Sequence, residues 1–290
     1  MDYVGNIFRP PSEAEDLIVQ VTIGCSHNKC SFCAMYRDKQ FMPKKWEIVK
    51  ADLDEGLAER HFQKVFLCDG DVMILSTERL LKILNYIKEK GPHIRKVSLY
   101  GDARGILHKS DEELKQLKEA GLSMVYHGME SGDADVIKLI NKGASVEDQV
   151  LAAKKLKKAG IKYSCIILLG AGGVAMSEQH AKNTAKALTE ADPDYVGLLM
   201  LTLVPGTPMF DMAQRGEFEL PDKWGLLQEL RTITAESDFT NCCYSATHAS
   251  NYLPIAGYFP GDKAKVVQTL DRVLAEKNES LLKPEWMRGL

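Results

Sequence analysis

The sequence predicts an α/β protein, a partial (β/α)6 TIM-like barrel followed by a C-terminal helical extension, and three observations carry the prediction. Six short apolar, β-rich runs alternate with amphipathic stretches of helical period. Helix-capping and helix-stopping residues punctuate the alternation, which ends after the sixth run at a Pro-Gly-Thr-Pro turn. Strands that alternate with helices imply parallel βαβ units, and the right-handed crossover winds such units progressively into one sheet.

In chain order, strands are expected over 17–23, 64–68, 96–100, 123–127, 162–169 and 195–203. The intervening helices are expected over 46–60, 77–90, 111–120, 146–159 and 178–191. Ser110 precedes Glu113, and Ser145 precedes Asp148, in the pattern that satisfies the free N–H groups of a helix start, while Gly121 and Gly160 fall where helices should stop. After Val204-Pro205-Gly206-Thr207-Pro208 come two helices, 224–236 and 263–276, around an irregular stretch, 241–259. The chain therefore divides into a barrel portion, 1–210, and an extension, 211–290, expected to cover the barrel mouth.

Composition bounds the function. The 290 residues are 45% hydrophobic and 27% charged, ample for a buried core. The 37 basic and 40 acidic residues are spread along the chain without a basic tail or stripe, so nucleic acid binding is not supported, and Lys154–Lys158 reads as a solvated helix face. The opening residues lack a secretory signal, and no apolar run approaches the roughly 20 residues that span a bilayer, so a cytoplasmic location is expected and a membrane partner is not.

The seven cysteines are an odd number with uneven spacing, which favours metal or redox chemistry over a disulfide framework. Cys25, Cys30 and Cys33 form C-x4-C-x2-C directly after the first strand. Thiolates are the soft ligands an iron–sulfur cluster requires, and three of them leave one iron of a cubane open to another ligand. A structural zinc wants four protein ligands and would have to recruit His27 or a distant residue. In parallel barrels the chemistry sits in the loops after the strands. The loops 69–71, 101–104, 128–131 and 170–173 follow the next four strands and would share one rim with the cysteines.

With the aromatic Phe32 just before its last cysteine, the loop resembles that of the radical S-adenosylmethionine superfamily, and in particular its Elp3/MiaB/HemN-like group; the usual spacing is C-x3-C-x2-C, one residue shorter in the first gap. The resemblance extends over roughly residues 15–210. It implies a [4Fe-4S] cluster on Cys25, Cys30 and Cys33, with S-adenosylmethionine chelating the fourth iron by its amino and carboxylate groups. It further implies reductive cleavage to methionine and a 5'-deoxyadenosyl radical that abstracts hydrogen from a substrate, with a one-electron donor such as flavodoxin or ferredoxin as partner.

The same resemblance places other segments. Asp69-Gly70-Asp71 stands where the family sets a glycine- and acid-containing segment against the methionyl ammonium, although Asp-Gly is also a turn signal. Gly128-Met129-Glu130-Ser131 resembles the Gly-x-Glu-Ser segment, with Glu130 toward the ribose or ammonium and Ser131 in support, or Ser131 and Asp133 as helix caps. Arg104 could pair with the methionyl carboxylate or make a helix-end contact. Leu168 and Gly170 lie where the family passes close to adenine, and Phe32 could approach the same base or serve the core. Cys68 and Cys165 read as buried small hydrophobes.

The stretch 241–252 is rich in reactive side chains. Cys242 or Cys243 could donate a hydrogen atom or bind a second metal, and His248, Asn251 and Tyr252 are expected to face the substrate or to form a hydrogen-bonded lid. The resemblance leaves the substrate open. Alternative readings are a non-catalytic haem- or cofactor-handling protein on the same fold, and a zinc-stabilised barrel that binds RNA.

Overall fold

A computed structural model describes residues 1–59 and 62–289. The chain runs β1 (Leu17–Gln20), β2 (Thr22–Ile23), β3 (Met42–Pro43), α1 (Trp46–Ala58), β4 (Lys64–Cys68), α2 (Thr77–Lys90), β5 (Lys96–Tyr100), α3 (Ala103–Leu107) and α4 (Asp111–Glu119). It continues β6 (Leu122–Glu130), α5 (Ala134–Leu139), α6 (Val146–Lys158), β7 (Lys162–Leu169), α7 (Gly173–Ala191) and β8 (Tyr195–Met200). The remainder is α8 (Pro208–Gln214), α9 (Lys223–Glu236), β9 (Cys242–Ser245), β10 (Ala256–Phe259) and α10 (Lys263–Glu276).

One eight-stranded sheet has the order β1-β4-β5-β6-β7-β8-β9-β10. Pairing is parallel for β1/β4, β4/β5, β5/β6, β7/β8 and β8/β9, and antiparallel for β9/β10. The predicted α/β class and its mostly parallel sheet are thus observed. The end of the first predicted helix, Arg60, lies outside the described residues. Among the described residues no helix is long and apolar enough to cross a membrane.

The chain forms two compact units. One comprises Met1–Asn28, Met35–His127 and Lys154–Tyr163; the other comprises Lys29–Ala34, Gly128–Ala153 and Ser164–Leu290. In the first, Val65, Phe66, Leu67 and Cys68 of β4 are fully buried, as a central parallel strand covered on both faces requires. The Ser110 capping box forms as expected, with Ser110 accepting from Glu113 N–H at 3.1 Å and Glu113 accepting from Ser110 N–H at 2.8 Å.

The second unit corrects three expectations. The stretch 241–259 is not irregular: it supplies β9 and β10, so the extension adds strands as well as helices to the fold. In β9, Cys242 and Tyr244 are buried and Cys243 and Ser245 less so, and that alternation points the two adjacent thiols to opposite faces. Helix α7 begins at Gly173, five residues before its expected start, because Val174 N–H donates to Glu219 O at 2.8 Å and a side chain at Gly173 would meet Glu219 O at 2.9 Å and Phe218 at 3.0 Å. The Pro205–Pro208 turn is also a helix start: the Thr207 hydroxyl accepts from Phe210 N–H at 3.3 Å, with Pro208 in the first turn of α8.

Candidate functional site

In the first unit, the segment after β4 is built into the cysteine loop. Gly70 N–H donates to Gly24 O at 3.1 Å, and a Cβ at Gly70 would stand 2.7 Å from the Tyr36 ring, 2.8 Å from Cys25 Cβ and 3.1 Å from Cys25 Cα. Only glycine lets the two backbones approach so closely. Gly70→Ala is therefore expected to push Cys25 away, costing about 1–3 kcal/mol of stability and lowering iron bound per chain, checked by urea unfolding and iron assay.

The two aspartates flanking Gly70 do different work. Asp69 is fully buried, and its Oδ2 accepts from Lys39 Nζ at 3.0 Å, Gln20 Nε2 at 3.2 Å and Gly24 N–H at 3.2 Å. That carboxylate holds the start of the cysteine loop. Asp71, equally buried, accepts from Ser26 Oγ at 2.5 Å and from Asp102 N–H at 3.1 Å, and burial pushes its pKa up to about 6 against the pull of Ser26. Arg104 Nε donates to Asp102 at 2.9 Å and its Nη2 reaches Ser26 Oγ at 3.4 Å. Partial burial opposes the Arg104 charge, but Asp102, Asp71 and Cys25 hold its pKa above the ordinary arginine value. Arg104 thus makes the expected helix-end contact, at the cap of α3, with Cys25 among the charges that act on it.

In the second unit, the Cys30–Cys33 turn closes through Cys33 N–H to Cys30 O at 3.3 Å. Ser31 anchors it: its N–H donates to Ile140 O at 2.8 Å, its hydroxyl to Leu139 O at 3.1 Å, and its carbonyl accepts from Met209 N–H at 3.0 Å. Phe32 packs on an apolar cluster that contains Val136, Ile137, Leu168 and Met209, the core role also expected for it.

Glu130 ends β6 with φ +68, a left-handed conformation that costs a non-glycine residue energy and marks functional turns. Lys142 Nζ stands 3.8 Å from its carboxylate, and a side chain at Gly128 would collide with that carboxylate. Ser131 is fully buried; its hydroxyl accepts from Asp133 N–H at 3.0 Å and meets His180 Nδ1 at 2.8 Å. Asp133 in turn accepts from the N–H groups of Asp135 and Val136, so the capping reading also holds, on Asp133. Gly170, at φ +84, donates its N–H to Glu229 Oε2 at 2.6 Å, while Ser177 Oγ donates to Glu229 Oε1 at 2.6 Å.

Glu229 and His180 were missed from sequence. The signal was there: Glu229 shares one helix stripe with Leu226, Leu230 and Ile233, and a carboxylate on an apolar stripe needs a partner. Burial pushes the Glu229 pKa up to about 7, and burial pushes the His180 pKa down to about 4. A carboxyl raised in the folded state binds a proton between about 4.5 and 7 that the unfolded chain does not, so its contribution to stability falls as pH rises through that window. Glu229→Gln is thus expected to be more stable than the parent at pH 8 by roughly 2–3 kcal/mol, the difference shrinking toward pH 5, as read by urea unfolding at both pH values.

The residues expected to face the substrate are mostly engaged elsewhere. Asn251 is fully buried and its amide donates to Leu198 O at 2.8 Å. Tyr252 donates to Glu285 at 2.6 Å under the Arg288 guanidinium, which lies 4.1 Å from its ring centroid. His248 is half-buried with Nδ1 at 2.9 Å from Ser250 Oγ.

The donor set can be weighed against the cluster the sequence implies. Among the described residues no three Cys, His, Asp or Glu side chains stand together as a preassembled metal site. The donor chemistry fits nonetheless. Cys25, Cys30 and Cys33 are all partly exposed, whereas burial pushes the Cys68 and Cys242 thiols far up and Cys243 up, away from the thiolate form a metal needs. Cys25 on its glycine cradle in the first unit, and Cys30 and Cys33 on their anchored turn in the second, each supply thiols of the kind a cluster takes.

A parallel α/β sheet with its thiol loop after the first strand defines a class, and comparison with known proteins identifies it. The model of the radical SAM superfamily matches residues 19–188, and the chain belongs to that family of enzymes, whose members bind a [4Fe-4S] cluster and S-adenosylmethionine. It is 32% identical over 112 residues to the tRNA uridine(34) acetyltransferase of Methanocaldococcus infernus, covering 38% of this chain and 21% of that one. It is 23% identical over 197 residues to the heme chaperone HemW of Buchnera aphidicola, covering 63% of this chain and 50% of that one. It thus spans half or less of the length of these two relatives. The structure of the radical S-adenosylmethionine methyltransferase TsrM from Kitasatospora setae, with cobalamin and [4Fe-4S] cluster bound, has the same fold at a TM-score of 0.56 and 18% identity, over 68% of this chain and 39% of that one.

Proposed function

We propose that this chain cleaves S-adenosylmethionine reductively at a cluster on Cys25, Cys30 and Cys33 and uses the product radical to abstract hydrogen from a substrate. When bound, the cluster supplies the electron that breaks the sulfonium bond, giving methionine and a 5'-deoxyadenosyl radical. The observation that carries the reading is positional. Segments 69–71, 101–104, 130–131 and 168–170 lie at the C-terminal ends of β4, β5, β6 and β7, where parallel sheets hold their ligands, and the cysteine loop follows β1 by way of the short β2.

In this reading the backbone around Gly70 meets the methionyl ammonium, because the Asp69 carboxylate is occupied by Lys39, while Asp71 acts through Ser26 on the loop. Arg104 faces the methionyl carboxylate, Glu130 the ribose, and Phe32, Leu168 and Gly170 the adenine, with Ser131 fixing the Glu130 turn. A low-potential one-electron donor of the flavodoxin or ferredoxin kind delivers the electron. Residues 211–290 provide the substrate side, with His248 presented there and Asn251 and Tyr252 holding the segment in place.

Anaerobically reconstituted protein with a strong reductant is expected to convert S-adenosylmethionine into 5'-deoxyadenosine and methionine in equal amounts. A fully clustered sample that yields neither sinks the proposal. The likeness to the heme chaperone favours one second reading, a haem carrier on the same fold; stoichiometric haem binding without S-adenosylmethionine cleavage would select it.

A further inference from the structure

We propose that Glu229 is a positioning residue for the nucleoside half of S-adenosylmethionine, fixing the turn after β7 by accepting from Gly170 N–H and from Ser177. The proposal rests on the reading of that turn given above. It concerns a residue on α9, beyond the segment 19–188 that the superfamily model matches, so the support comes from this chain's own extension.

Both oxygens of the Glu229 carboxylate are engaged. Oε2 accepts from Gly170 N–H at 2.6 Å, and Oε1 accepts from Ser177 Oγ at 2.6 Å. Glu229 is 2% exposed, so these bonds are made away from water. His180 Nε2 stands 3.8 Å from Oε2, beyond hydrogen-bond reach, and is not a link in this arrangement.

An apolar side chain would fill the Glu229 position on this stripe without the desolvation cost of a carboxylate. What an apolar residue cannot do is accept from Gly170. The Gly170 N–H belongs to a left-handed turn that the β7 strand alone does not hold, and two residues earlier Leu168 lines the apolar cluster with Phe32. Removing the carboxylate therefore frees the turn after β7 while leaving the strands intact.

The test uses anaerobically reconstituted holoenzyme and S-adenosylhomocysteine as a non-cleavable probe, with its Kd read by equilibrium dialysis beside iron content and the kinetics of 5'-deoxyadenosine formation. Glu229→Leu keeps the volume and removes both acceptors; it is expected to weaken the probe about tenfold and to raise KM for S-adenosylmethionine by a similar factor, with iron content unchanged and kcat within about twofold. Glu229→Gln still offers Gly170 an acceptor and is expected to recover to within about threefold of the parent. If Glu229→Leu does not accumulate as folded holoenzyme, Ser177→Ala removes the hydroxyl that holds Oε1 and is expected to weaken the probe about threefold. Parent-like binding in the Leu variant, or in the Ser177→Ala variant where the Leu variant does not fold, or a Gln variant as weak as the Leu variant, overturns the proposal. A parent enzyme that binds no probe and cleaves no S-adenosylmethionine removes the underlying reading and this inference with it, whereas a competent parent with indifferent variants removes the inference alone.

Discussion

Cys30→Ala is expected to abolish formation of 5'-deoxyadenosine, a loss of at least about a thousandfold, together with the iron and the visible absorbance of the reconstituted protein. Even partners that merely orient a metal ligand are worth about 10–100-fold, and a ligand itself is worth more. The loss is chemical, since Ser31 keeps its three bonds to Ile140, Leu139 and Met209, and the turn stays anchored without the thiol. Folding is accordingly expected to survive, read by circular dichroism and urea unfolding of the variant. Cys243→Ala provides the contrast: its thiol lies on β9, burial raises its pKa, and its loss is expected to leave iron content at the parent level. An active Cys30→Ala enzyme with full iron would refute the ligand assignment.

Asp69→Ala is expected to cost roughly 3–5 kcal/mol, a large share of the 5–15 kcal/mol that holds a typical domain together. The substitution leaves the Lys39 ammonium buried without its anion and removes the acceptor for Gln20 and for Gly24 N–H. The cost is not that of a surface pair, because the Lys39 and Asp69 side chains are 4% and 0% exposed. Asp69→Asn keeps an oxygen acceptor for Gly24 but no charge for Lys39, so it is expected to fall between the parent and the alanine variant in urea unfolding. Because Gly24 leads directly into Cys25, cluster loading is expected to fall in the same order. An alanine variant as stable as the parent would show that Asp69 does not hold the loop.

Much of the site was legible because its signals are local. The C-x4-C-x2-C spacing, the strand periodicity and the Ser110 box all lie within a few residues of one another, and the chain's physics acts on them directly. The second sheet strand begins and ends where the sequence placed it, at Lys64 and Cys68, because a continuous apolar run buried on both faces has one sensible reading. By contrast, β9 was not legible as a strand. A four-residue segment is stabilised by pairing with β10 and with β8, 48 positions earlier at Tyr195 and Cys243, and its Cys-Cys-Tyr-Ser sequence has weak intrinsic preference. The same holds for the segment 69–71: chemistry alone offered both aspartates to a ligand, and only the fold shows that Lys39 already claims Asp69 while Ser26 claims Asp71.

By itself the sequence determined the α/β class and the superfamily to which the chain belongs, since periodicity and motif spacing are properties of neighbouring residues. Tertiary structure decided which polar groups are committed to holding the framework. Asp69 pairs with a lysine 30 residues away and Glu229 with a glycine 59 residues away, and a buried charge finds its partner only when distant segments are brought into contact.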